Sequence, residues 1–73
     1  MFDFSKLIGR IIEKFGTRGA FAEAAGYSET MLSYRLNNKI AWDIDEIHHV
    51  CQPHLLDISA AEITVFFFTL KVI

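Results

Sequence analysis

Thr17-Arg18-Gly19-Ala20-Phe21-Ala22-Glu23-Ala24-Ala25-Gly26-Tyr27-Ser28-Glu29-Thr30-Met31-Leu32-Ser33-Tyr34-Arg35-Leu36-Asn37-Asn38-Lys39 is the stretch that decides the fold. It reads as two short helices joined by a tight turn. Ala22 and Ala25 are small enough for two helices to cross closely. Gly26 stands where the chain must leave the first helix, and glycine takes the left-handed backbone of such an exit without a Cβ clash. Ser28 then offers a hydroxyl to an otherwise unpartnered amide in the first turn of the next helix. Leu32 and Leu36 give that helix one apolar edge. An ordinary helical hairpin shares some of these features. Their combination points to a helix-turn-helix, whose second helix can lie in a major groove.

Outward from this stretch the helical period continues. Phe4, Leu7, Ile8, Ile11, Ile12 and Phe15 recur at 3–4 spacing and predict an amphipathic helix from Phe4 to Phe15. Asp3 is its expected N-cap, Phe2 and Leu7 its staple, and Gly16 its C-terminal stop. Thr17 caps the next helix, Arg18 to Ala25, in which Gly19 is a weak helix former and Phe21 the core anchor. The helix after Ser28 is expected to run from Glu29 to Asn37, with Asn37-Asn38 tolerating a left-handed exit. Asp43 and Glu46 form a capping box, with Trp42 and Ile47 as staple, for a fourth helix that Pro53 stops near Gln52. Ile44, Ile47, Val50 and Cys51 are its expected buried side, with Leu55 and Leu56 beneath. Ser59 and Glu62 box a short fifth helix, Ala60 to Phe66, with Ile58 and Ile63 as staple. The fold class is therefore all-α, five helices in a single domain over residues 1–73.

The tail Val65-Phe66-Phe67-Phe68-Thr69-Leu70-Lys71-Val72-Ile73 is more apolar than a terminus requires. Its β-branched and aromatic character favours an extended path. Phe66, Phe67, Phe68, Leu70, Val72 and Ile73 exceed what a short helix can bury. Part of the tail is expected to dock on the first or fourth helix and part to support a homodimer.

A chain of 73 residues buries only about 60% of its unfolded surface, so every apolar face counts. It has no apolar run of membrane-spanning length and no secretory pattern, and the single Cys51 excludes an internal disulfide. A cytoplasmic protein that does not engage membranes is expected. The net charge of −2 is unevenly spread: residues 1–40 hold six basic against four acidic residues, and residues 41–73 hold one against five. The modest basic charge thus accompanies the helix-turn-helix, and phosphate-driven affinity should be modest too.

On the second helix of the motif, Glu29, Thr30, Ser33, Tyr34 and Asn37 fall on the side opposite Leu32 and Leu36. With Ser28 at its start, this face would meet a groove or a partner. Asn37 suits an adenine edge, Ser33 and Thr30 several base edges, and Glu29 a cytosine amine. Arg18, Lys39 and Arg35 would contact phosphates. The plainer reading of each residue is a solvated helix face. His48, Cys51 and His54 lack the paired spacing of a four-ligand zinc site, and Pro53 interrupts their helix, so no metal is expected. No phosphate loop, nucleophile elbow or paired carboxylate set is present, so neither an enzyme nor a cofactor is expected.

The segments Phe4 to Gly16, Phe21 to Glu29, Leu32-Ser33 and Leu36 to Lys39 resemble small phage regulators of the Cro-like helix-turn-helix superfamily. Asp45-Glu46-Ile47, Leu56 to Ser59, and Glu62-Ile63 through Phe67-Phe68 extend the likeness. The group includes Cro-type repressors and modulator-of-repression antirepressors of temperate phages from low-GC Gram-positive bacteria. The resemblance implies a compact lambda-repressor-like domain acting in a lysis–lysogeny switch. In the first reading it is a transcriptional regulator binding operator DNA. In the alternative it is an antirepressor that occupies the DNA-binding domain of a phage repressor.

Overall fold

Residues 1–72 are described by the structure, a computed structural model. Five α-helices follow one another: α1 (Ser5–Phe15), α2 (Arg18–Ala25), α3 (Glu29–Leu36), α4 (Ile44–Val50) and α5 (Ile63–Phe67). The last is entered through a 3₁₀ turn, Ala60–Glu62. The helices enclose one core in which Leu7, Ile11, Phe21, Leu32, Val50, Leu56 and Phe67 are essentially sealed from solvent. Burying one such side chain contributes roughly 1.5–3 kcal/mol, so these positions dominate the favourable side of folding.

Several boundaries differ from the sequence expectation, each for a local reason. α1 starts at Ser5, with Phe4 as its N-cap. Asp3 still serves this terminus from one residue further out, its Oδ1 accepting the Ser5 amide at 2.9 Å. α3 ends at Leu36, with Asn37 as C-cap and Asn38 left-handed at φ 62°. α4 ends at Val50 rather than near Gln52, before Pro53 can act. The carbonyls of Val50, Cys51 and Gln52 accept instead from Leu56, Ile58 and Leu55, which fold back as a tight turn. Ile44, expected in the core, is 83% exposed. It occupies the first position of α4, which leans on the core only from Ile47 onward.

The tail meets its expectation in part, because Phe66 docks on α1. Phe66 and Phe67 are buried within the domain, Phe66 beneath the Arg10 guanidinium of α1. Phe68 then stands beside α4, near Ile44, Ile47 and His48, and the chain beyond it leaves the helices. Leu70 makes an antiparallel bridge with Phe2. Asp3 N–H donates to Thr69 O at 2.8 Å and Lys71 N–H to Met1 O at 3.1 Å. The backbone groups of Phe2 face the other way, onto the Asn38 side chain, which accepts from Phe2 N and donates to Phe2 O, both at 2.9 Å. Phe68, Leu70 and Val72 remain exposed. Ile73 lies outside the described residues.

Two glycines with similar surroundings should respond oppositely to alanine. Gly26 sits at φ 85°, and Gly9 lies inside α1; neither has an atom within 4 Å of an added Cβ. Gly26→Ala should destabilise by about 1–2 kcal/mol through left-handed strain alone. Gly9→Ala should stabilise by roughly 0.5–1 kcal/mol. Urea unfolding of the two variants checks both signs.

Candidate partner-binding site

α3 is presented by the turn that precedes it. Gly26 N–H donates to Glu23 O at 3.3 Å and Tyr27 N–H to Ala22 O at 2.8 Å, the paired bonds of a Schellman stop. The chain re-enters a helix at Ser28, whose Oγ accepts the Met31 amide at 3.1 Å. Thr17 does the same for α2, accepting from Ala20. Leu32 and Leu36 then point inward and fix which side of α3 faces out.

On the outward side Ser28, Glu29, Thr30, Tyr34 and Asn37 are exposed and Ser33 is half-buried. Arg18 and Lys39 are exposed at its margins. Met31 and Tyr34, one turn apart, add apolar surface at 44% and 42% exposure. The Lys39 ammonium lies 5.6 Å from the centre of the Tyr34 ring, a cation–π pairing that holds the tyrosine at the end of the helix. The Asn37 amide nitrogen is already committed, donating to Ser33 O at 2.9 Å and Ser33 Oγ at 3.1 Å. Reading an adenine edge, which takes both ends of the amide, would require those bonds to break.

A Cβ at Gly19 would meet only the end of the Glu29 side chain, an exposed and flexible group that can move aside. Glu29 is the one acidic residue in the first turn of α3.

Arg35 is not a phosphate contact. It is buried, and its Nε reaches Glu46 Oε2 at 2.5 Å. A guanidinium nitrogen donates to Met31 O at 3.1 Å, and the group lies over the Tyr27 ring. Glu46 also accepts from the Tyr27 hydroxyl at 3.2 Å, while its other oxygen takes the Asp43 amide at 3.1 Å. The capping box was legible from Asp43 and Glu46, but this second use of the same carboxylate was not. Burial, then the nearby Glu46 charge, push the Tyr27 hydroxyl up to about 12.

Elsewhere, His49 Nε2 lies 3.0 Å from Ala25 O at the end of α2, and His48 contacts Gln52. Cys51 is half-buried, and desolvation raises its thiol pKa. Among the described residues no three of His, Cys, Asp and Glu come together in a way that could hold a metal ion. No helix among them is long and apolar enough to cross a membrane.

Comparison with known proteins places the chain in a family. Residues 1–70 match the family described as "Protein of unknown function (DUF739)". The solution structure of the modulator of repression (MOR) of the temperate bacteriophage TP901-1 from Lactococcus lactis is similar at 42% identity. The match covers 99% of this chain and 95% of that one, with a TM-score of 0.81. No curated protein matches. The chain belongs to the DUF739 family and to the family of that phage modulator of repression.

The buried carboxylate makes two expectations. Glu46→Ala strands the Arg35 charge and removes the acceptor of the Asp43 amide, one half of the capping box of α4, and should cost about 3–5 kcal/mol in chemical denaturation. Tyr27 gives an alkaline signature. Below pH about 10 it is protonated whether folded or unfolded, so it adds no pH dependence. Between there and about 12 the unfolded chain loses the proton first, so stability falls as pH rises. Denaturation at stepped alkaline pH should show this extra loss in the parent and not in Tyr27→Phe.

Proposed function

We propose that this member of the modulator-of-repression family is an antirepressor. It binds the DNA-binding domain of a phage repressor through the outward face of α3 and keeps that repressor off its operator. The observation that carries the reading is the 42% identity, across nearly the whole of both chains, to a phage modulator of repression.

The chemistry of the face supports a protein target over DNA. Phosphate contact is the sequence-independent source of DNA affinity and needs free cations. With Arg35 tied to Glu46, the cations left beside the α3 face are Arg18 and Lys39, and Lys39 is engaged with Tyr34. Glu29 would repel phosphate from the first turn of α3. A repressor surface that binds DNA is basic, and against it Glu29 and Glu23 become attractive, while Met31 and Tyr34 offer apolar contact of the kind enriched at interface centres. The action is competition for a surface in the host cytoplasm. It needs neither catalysis nor a cofactor, and salt weakens it because attraction is charge-led.

One mixture of operator DNA, cognate repressor and this protein tests the reading in a band-shift titration. The expected result is loss of the repressor–operator band and no band from this protein with operator alone. A discrete complex with operator alone, and none with repressor, would establish direct Cro-like DNA binding instead. Tyr34→Ala should weaken repressor binding by roughly 1–2 kcal/mol if it is a central contact. Glu29→Lys should weaken it further at low salt than at high salt, and an unchanged affinity would exclude this face.

A further inference from the structure

We propose that the groove between α4 and α5 is a second docking surface, shaped for a basic amphipathic segment of a partner protein. Ile44, Ile47, His48, Ile63 and Phe68 line it and leave about 260 Å³ open to solvent. Ile44 forms its rim at 83% exposure, and Phe68 stands half-exposed on the opposite side. An isoleucine so exposed beside an exposed phenylalanine is an apolar surface without a partner on this chain.

The charge around the groove identifies what fits it. Asp43 and Asp45 flank Ile44, and Glu62 flanks Ile63. The ion pairs among the described residues are Arg10–Glu13 and Arg35–Glu46, so these three carboxylates have no cationic partner there. The single Lys or Arg in residues 41–73 is Lys71, whose Nζ lies at Met1 Sδ beside the terminal bridge. An apolar slot within an acidic field complements a segment that carries apolar side chains between lysines or arginines. A second copy docked groove to groove would bring acid against acid. The surface is built on α4 and α5, so the inference stands independently of the α3 reading.

The test uses the full ¹⁵N-labelled chain and two synthetic helical peptides with the same leucine pattern, one carrying lysines and one glutamates on the polar face. The lysine peptide should shift the resonances of Ile44, Ile63 and Phe68, and the glutamate peptide should not. Ile44→Ser and Asp45→Lys, both at exposed positions, should each weaken the lysine peptide by about tenfold. Glu29→Lys should leave it unchanged, which separates this groove from the α3 face. Equal binding of both peptides, or shifts confined to α3, would overturn the proposal. So would concentration-dependent shifts of the groove without peptide, because a second copy would then be its occupant.

Discussion

The Glu46 carboxylate sets the angle between the segments that matter most. Apolar packing drives α2, α3 and α4 together but is non-directional, and a few degrees of rotation cost it little. Glu46 supplies direction. One oxygen takes the Arg35 guanidinium from α3 and the Tyr27 hydroxyl from the turn before it, and the other takes the Asp43 amide at the head of α4. A buried charge pair of this kind contributes little net stability over an apolar substitute, but it is severe when half of it is removed. Its use here is specification: α3 is held with Leu32 and Leu36 inward and Glu29, Met31 and Tyr34 outward.

That arrangement also takes one cation away from the outward face of α3. Of the arginines and lysines near α3, the one in its last turn, Arg35, is turned inward to serve the fold. What remains outside is a mixed face with an acid at its leading turn and a tyrosine and a methionine along its flank. Such a face gains little from counterion release and more from meeting a surface of opposite sign.

Local chemistry was the legible part of the sequence. Thr17, Ser28, Asp43 and Ser59 were read as caps, and the turn at Gly26 as left-handed, because each signal lies within a few residues of its consequence. What the sequence hid was contact between distant residues. Arg35 looked like a free cation because nothing near it in the chain shows that Glu46 will arrive. Ile44 looked buried because the helical period cannot tell the first position of a short helix, which overhangs the core, from the next turn, which rests on it. The start of the tail does seek a helix, Phe66 on α1, but the pairing of Leu70 with Phe2 is hidden because a single residue of extended chain carries no pattern at all.

The pairing of Phe2 with Leu70 gives the molecule the topology of a ring. Phe2 is gripped along both backbone edges, by the tail on one side and the Asn38 amide on the other, so the first and last described segments and the exit of α3 meet at one seam. Closing so long a loop costs entropy that grows only as the logarithm of its length, but the cost falls due before the seam gives anything back. Contacts so distant in sequence offset that cost only with the helices between them in place. Opening the seam would part the Phe2 and Phe68 rings, which meet edge-on at 5.8 Å, and release Asn38 at the exit of α3. Phe68 also lines the groove beside α4, so the shape of that groove depends on the seam holding.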